Sequence, residues 1–501
     1  MILHVEGDIN LYYVQTLCMV FFPGSKFAQD EIPDEHTPIL HLTVTGGAGE
    51  VIVAKAKLTK GNKETFGTAT VDPNPEKTDE QRRKLATGSA IFEAGKSMLR
   101  YTPPWGMLTG VRPSKVAADI LRRGNSVTKS KKILRDEYFL NPKKAALAVE
   151  VADLEMRLVA PDQKKRCSLY VSIPFCPSRC TYCSFVSYTT PRLLSMIDDY
   201  LQALILDLEN RFSIIEELGI EVATIYIGGG TPTILSTSQL ELLLSYIASK
   251  TDVTMLEEFT LEGGRPDTIT AQKLKICKKY GVTRISVNPQ TLNDEILAAI
   301  GRAHTVDDFL RAYDLVREKG PKHINVDLIA GLPLDNFLNF SETLDRIIKL
   351  DPDNITVHTF CVKKSAELLH TGERIYSRNG GDTAKSVSYA KIQTGLAGYR
   401  PYYLYRQKNT IGNLENVGYA KEGAEGLYNI YMMEELHSIF AAGAGAVSKL
   451  VAPAQNGHTP KIRRIFSPKY PYEYLRNPDQ TAKENEDLRD QTIAFYNEYL
   501  L

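Results

Sequence analysis

Hydrophobic and polar positions alternate with a period of two from Met1 to about Val71. Examples are Ile39-Leu40-His41-Leu42-Thr43-Val44 and Val51-Ile52-Val53-Ala54, and such alternation predicts half-buried strands. From Lys77 to about Gln163 the sequence is charged and helix-favouring, broken by Tyr101-Thr102-Pro103-Pro104-Trp105-Gly106. Charge runs there, such as Lys129-Ser130-Lys131-Lys132, read as solvated helix faces.

The pattern changes between Cys167 and about Lys364, where short apolar runs alternate with amphipathic stretches. The runs predict strands at Leu169–Ile173, Ala223–Ile227, Glu258–Glu262, Arg284–Val287, His323–Ile329 and Asn354–Phe360. Between the first two, Leu194, Ile197, Leu201, Leu204, Ile205, Leu208, Phe212 and Ile215 recur at helical spacing. Short strands joined through helices imply a parallel sheet. Six β-α units are too few to close an eight-fold barrel, so the expectation is an open partial (β/α)6 barrel. Its site should lie at the carboxyl ends of the strands. The fold class is thus α/β, with three expected regions: 1–165, an α+β N-terminal domain of unknown role; 166–388, the barrel core; and 389–501, a mixed extension that covers the substrate.

Length and composition add limits. A chain of 501 residues exceeds one ordinary core, and 43% hydrophobic with 24% charged residues describes a globular protein. Lys plus Arg and Asp plus Glu both number 60, which argues against a dedicated nucleic-acid binder. No apolar run approaches the ~20 residues of a membrane helix. The start, Met1-Ile2-Leu3-His4-Val5-Glu6, lacks the basic and apolar regions of a signal peptide. Seven cysteines, an odd number, do not form a secreted disulfide framework, so a reducing cytoplasm is expected. Cys18, Cys167 and Cys277 read as ordinary buried thiols.

The remaining chemistry concentrates in Tyr170-Val171-Ser172-Ile173-Pro174-Phe175-Cys176-Pro177-Ser178-Arg179-Cys180-Thr181-Tyr182-Cys183. Three thiols at C-x3-C-x2-C spacing directly follow an apolar strand. Such a loop can hold three corners of a [4Fe–4S] cluster and leave the fourth iron open, where the amino and carboxylate groups of S-adenosylmethionine (SAM) can chelate. The competing reading is zinc, but a structural zinc takes four ligands and no fourth Cys or His is near in sequence. Gly228-Gly229-Gly230-Thr231-Pro232-Thr233 follows the second strand and lets backbone approach a ligand closely. A turn before a helix would use the same residues. Glu262, Gln290, Arg302 and Asp327 sit on or just after later strands. An acid inside Ile324-Asn325-Val326-Asp327-Leu328-Ile329 is costly unless paired or ligand-bound.

These motifs resemble the oxygen-independent coproporphyrinogen III oxidases (dehydrogenases) of the radical SAM superfamily. The resemblance spans roughly Trp105 to Lys449. It is carried by Ile173-Pro174-Phe175-Cys176, by Gly228 to Thr233, by Gly301-Arg302-Ala303-His304 and by Asn325-Val326-Asp327-Leu328-Ile329-Ala330-Gly331-Leu332-Pro333. Trp105-Gly106-Met107-Leu108-Thr109-Gly110-Val111-Arg112-Pro113, and Tyr402 through Tyr419, are similar to its HemZ branch. The resemblance implies that Cys176, Cys180 and Cys183 ligate the cluster. It places Tyr170, the backbone around Tyr182, Gly229 and Glu262 on the cluster-bound SAM. It also matches Gly230, Thr231, Gln290, Arg302, Asp327 and Cys361 to a second SAM site. The implied reaction removes a hydrogen from the β-carbon of a propionate and then CO2 and an electron, leaving a vinyl group. Two rounds turn coproporphyrinogen III into protoporphyrinogen IX in heme synthesis. The implied partners are the tetrapyrrole and an electron donor such as flavodoxin or ferredoxin, with a monomer expected by analogy.

Two positions depart from the best-understood oxidases, which carry a fourth cysteine where this chain has Phe185 and a histidine where it has Ser172. Heme chaperones of the same superfamily share the first departure. The alternatives are therefore a heme-binding chaperone, or a radical SAM enzyme for another tetrapyrrole. Lys363, Lys364, Arg406 and Lys408 are further candidates, as cationic anchors for tetrapyrrole carboxylates; solvent-facing charge is the plain alternative for each.

Overall fold

The computed structural model describes residues 1–501 apart from 28–35, 48, 111, 160–162, 184–187, 362–379, 408–409, 454–459, 476–477 and 501, with backbone alone at 478–480. Two compact units result. One comprises Met1–Met156, Arg374–Ala384 and Leu404–Glu415, and the other Arg157–Glu373, Lys385–Tyr403 and Asn416–Leu501.

In the first unit the period-two segments form β1 (Ile2–Glu6), β2 (Ile39–Thr45), β3 (Ile52–Lys60) and β4 (Lys63–Val71), hydrogen-bonded in that order. β1 runs parallel to β2, and the later pairs are antiparallel. Leu40, Leu42, Val44, Ile52, Ala54 and Ala56 turn one face inward, onto the helices Leu11–Phe21 and Asp79–Leu99. Thr78 and Gln81 form a capping box at the start of the second helix. At Gly67 an added Cβ would stand 2.0 Å from the Ala90 carbonyl, so only glycine lets this helix lie so close.

The six predicted core strands all form: β5 (Arg166–Ile173), β6 (Glu221–Gly229), β7 (Glu258–Leu261), β8 (Arg284–Ser286), β9 (His323–Ala330) and β10 (Asn354–Thr359). Each pairs in parallel with the next. Five more strands extend the sheet: β11 (Arg400–Arg406), β12 (Glu415–Ala420), β13 (Ser438–Ala442), β14 (Val447–Ala452) and β15 (Lys461–Phe466). The order is β11-β12-β10-β9-β8-β7-β6-β5-β13-β14-β15. The 389–501 region thus supplies sheet on both flanks of the parallel core. β13 lies parallel to β5, Phe440 opposite Leu169, and all five of its residues are buried.

Two faces of the parallel strands differ in chemistry. Leu169, Val171, Ile173, Ile225, Ile227, Phe259, Leu261, Ile285, Val326 and Leu328 are completely buried. The alternating positions are polar: Ser168, Tyr170 and Ser172 on β5, Thr224 and Tyr226 on β6, Glu258 and Thr260 on β7, Asn325 and Asp327 on β9. A polar interior is stable only if its groups are paired. At the amino-terminal end they are. The Arg284 guanidinium lies 3.7 Å from the Glu258 carboxylate and donates to the Ala424 and Glu425 carbonyls at 2.8 and 3.0 Å.

Candidate active site

At the carboxyl end of β5 the chain leaves the sheet as Pro174-Phe175 and enters the cysteine loop. The Cys176 thiol is raised to about 11, by burial first and then by the neighbouring Cys183 and Cys180, while Thr231 and Arg265 pull the other way. The three thiols thus lie within electrostatic reach of one another, and each is half-buried. Among the described residues no group of three or more His, Cys, Asp or Glu side chains is arranged around a single metal ion. A cubane spreads its thiolates over separate irons, so these cysteines need not meet at one point.

The end of β6 supports that loop. The Gly230 and Thr231 N–H groups donate to the Ile173 and Phe175 carbonyls, each at 2.8 Å, and Thr231 Oγ1 lies 3.3 Å from Cys176 Sγ. A Cβ on Gly230 would stand 2.5 Å from the Phe175 carbonyl oxygen and 3.0 Å from that sulfur. Gly229 has φ +110, a backbone open to glycine and strained for other residues. From a third side Arg265, 3% exposed, donates to Ser178 Oγ at 2.9 Å and pairs with Asp267 at 3.0 Å. The Ile300 carbonyl accepts the Thr181 N–H at 3.1 Å. Ser172 donates to the Ala444 carbonyl at 2.9 Å. The donor set, glycine cradle and close-packed loop fit a three-cysteine cluster.

Further residues predicted from sequence gather at the same end of the parallel strands. Glu262, one residue past β7, accepts from the Gly229 N–H at 3.2 Å and from the Tyr226 hydroxyl. Burial and the Asp327 charge nevertheless lift its carboxyl to about 7. Asp327 on β9 behaves oppositely: burial pushes it up, but His358, Asn325 and Thr356 hold it below the ordinary carboxylate value. Asn325 and Asn288 donate to Asp327 at 2.8 and 2.9 Å. Gln290 follows β8 with φ +70, its N–H on the Asp327 carbonyl at 3.1 Å. Arg302 donates to the Asn288 carbonyl at 2.7 Å and lies 3.4 Å from the Tyr182 hydroxyl, so it reaches the cysteine loop itself. Tyr170 projects into the polar interior, its ring 6.2 Å from Tyr226 and 6.4 Å from Tyr428. Cys361 follows β10 and is half-buried.

Sequence reasoning did not single out Tyr226, Tyr428, His358, Asn288 or Arg265. Tyr226 was detectable as the inward position of a predicted strand. Tyr428 arrives from the helix Leu427–Glu434, far away in sequence. Arg406 is not an accessible anchor: it is 4% exposed, donates to the Leu108 and Asn413 carbonyls and lies 5.6 Å over Trp105. Phe185, Lys363, Lys364 and Lys408 lie outside the described residues.

Residues 170–347 match the radical SAM superfamily, whose members use a [4Fe–4S] cluster and SAM. The chain is 39% identical over 399 residues to the oxygen-independent coproporphyrinogen-III oxidase-like protein HemZ of Bacillus subtilis, covering 78% of this chain and 79% of that one. It therefore belongs to the HemZ family of coproporphyrinogen-III oxidase-like radical SAM proteins. It is also 32% identical over 279 residues to the heme chaperone HemW of Bacillus subtilis, covering 55% of this chain and 70% of the relative. Among solved structures, coproporphyrinogen III oxidase (HemN) from Escherichia coli aligns with 66% of this chain and 72% of its own at 20% identity, TM-score 0.48. No described helix is long and apolar enough to cross a membrane.

Proposed function

We propose that this protein oxidatively decarboxylates two propionates of coproporphyrinogen III to vinyl groups, giving protoporphyrinogen IX in oxygen-independent heme synthesis. The supporting observation is the cysteine loop, seated on a glycine cradle at the mouth of a polar barrel, in a chain 39% identical to an oxidase-like relative. Cys176, Cys180 and Cys183 would hold the cluster, which would supply the one-electron reduction that cleaves SAM and so generates a carbon radical. Gly229 and Tyr182 line the adjoining SAM seat. Glu262, bonded to the Gly229 N–H, would accept from the SAM amino group. Tyr170 walls the seat from within the barrel and keeps water from the reacting carbon. Gly230, Thr231, Gln290, Arg302, Asp327 and Cys361 form the second SAM site, with Asp327 as its charged acceptor. An electron-donor protein and a cytoplasmic setting complete the reading.

The heme chaperone reading is favoured by the 32% identity to HemW and by Phe185 in place of a fourth cysteine. Anaerobic turnover separates the two. The reconstituted protein, given SAM, reductant, coproporphyrinogen III and an electron acceptor, is expected to yield a product lacking two carboxyl groups together with 5′-deoxyadenosine. Cys180→Ala should abolish both. SAM cleavage without porphyrin product, accompanied by stoichiometric heme binding, would overturn the dehydrogenase reading in favour of the chaperone.

A further inference from the structure

Cys176 is tied to the chain that follows its loop. Its N–H donates to the Tyr188 carbonyl at 3.0 Å, and the Tyr188 N–H donates to the Pro174 carbonyl at 2.9 Å. From Tyr188 a file of rings leads outward. Its ring centroid is 6.5 Å from Phe175 and 6.3 Å from Tyr470, and Tyr470 stacks on Tyr472 at 5.2 Å. Tyr472 is 40% exposed. Four rings in contact therefore span from the residue before Cys176 to the surface.

The sheet topology explains why the file emerges there. β13 is parallel to β5, β14 is antiparallel to β13, and β15 is antiparallel to β14. β15 thus ends at the same end of the sheet as β5, where the cysteine loop begins. Its last residue, Phe466, is 71% exposed, and Lys469 lies 5.3 Å over the Tyr470 ring. Arg179 of the cysteine loop is exposed and acts on the Tyr188 phenol together with Tyr470, Tyr472 and Glu473. Arg464 on β15 is exposed as well. Two exposed cations, Arg179 and Lys469, thus stand beside the ring file, with the half-buried Glu473 acting on the same phenol, and cationic side chains at such an edge attract an acidic surface.

Weak redox encounters use small interfaces, and opposite surface potentials steer them. We infer that Phe466, Lys469, Tyr470 and Tyr472, with Arg179 of the cysteine loop, form the docking face for an acidic one-electron carrier protein that reduces the cluster. The inference rests on the cluster site proposed above. One electron leaves the carrier's reduced cofactor, which is oxidised by one, and enters the [4Fe–4S] cluster, which is reduced by one. No bond forms or breaks, and the tyrosines pack the path without changing oxidation state.

The double substitution Lys469→Glu with Tyr472→Ala tests the face through two exposed side chains. A bacterial flavodoxin serves as the probe. Its affinity is measured calorimetrically at low and high salt, and SAM cleavage is driven either by reduced flavodoxin or by dithionite. The expected result is about tenfold weaker binding with a matching slowing of flavodoxin-driven cleavage. Dithionite-driven cleavage stays at the wild-type rate. Unchanged flavodoxin affinity overturns the inference, as does an equal slowing with dithionite, which would make the residues structural. A wild-type protein without cluster absorbance and without dithionite-driven cleavage would instead refute the cluster site, and its flavodoxin affinity would still decide the docking face.

Discussion

Glu262 accepts two hydrogen bonds at the barrel mouth and still titrates near 7, because burial and Asp327 outweigh the Gly229 and Tyr226 donors. An unfolded chain ionises this group near 4.5, so between those values the folded protein holds the extra proton. The stability linked to Glu262 is complete below 4.5 and is lost as pH rises through about 7. Glu262→Gln keeps the shape and removes the titration. Thermal unfolding of the SAM-free proteins should show the variant gaining on wild type between about pH 5 and about pH 8. An equal difference at both ends would mean that the carboxyl ionises normally in the fold. At this scale the acids were legible, since a carboxylate within an apolar run has to be paired or bound. His358 was not, since an inward polar residue on a strand has the same local pattern as a half-buried one.

Strand ends, rather than strands, carry the candidate chemistry. The six parallel strands were readable as short apolar runs between amphipathic stretches. β13 was not, because Ser438-Ile439-Phe440-Ala441-Ala442 is short and rich in small residues, and its partner β5 is distant in sequence. The cysteine loop and the β6 end are one construction, joined by the Gly230 and Thr231 N–H groups. Gly230→Ala would force a Cβ against the Phe175 and Ile173 carbonyls, which the backbone fixes, and against the Cys176 sulfur. The variant should retain its circular dichroism but lose several-fold in iron and sulfide per chain after reconstitution, as determined by chemical analysis. Full cluster content would show that the loop can yield.

Across the second unit, the C-terminal chain locks onto the start of the barrel through a buried polar network. Asp207, 2% exposed, accepts from Tyr474 at 2.7 Å, from Asn485 at 3.0 Å and from the Gly443 N–H at 3.3 Å, with Arg211 3.8 Å away. Tyr200 donates to the Ser172 carbonyl at 2.8 Å and accepts the Ala444 N–H at 2.9 Å. Ending the chain after Glu434 would remove Tyr474, Asn485 and the Gly443 and Ala444 N–H groups from this network, together with β13, β14 and β15. It would leave β5 as an open edge, with Cys167, Leu169 and Val171 uncovered. Such an edge promotes aggregation, so the truncated protein should collect in the insoluble fraction and show no cooperative unfolding. A soluble, cooperatively folding truncation would mean that the eight remaining strands, β5 to β12, are self-sufficient.

Taken alone, the sequence determined the parallel α/β core, the three-thiol loop after its first strand, the glycine turn after its second and the acids at later strand ends. Those features are local: a few adjacent residues establish a strand period, a ligand spacing or a breaker. Tertiary structure decided what depends on residues far apart in the chain. It set Glu262 near neutrality and Asp327 below the usual range, brought Tyr428 against Tyr170, and buried Arg406. It also laid β13 beside β5 and carried Tyr470 and Tyr472 to the cysteine loop. Burial, charge coupling and ring contact act through space, so no local pattern announces them.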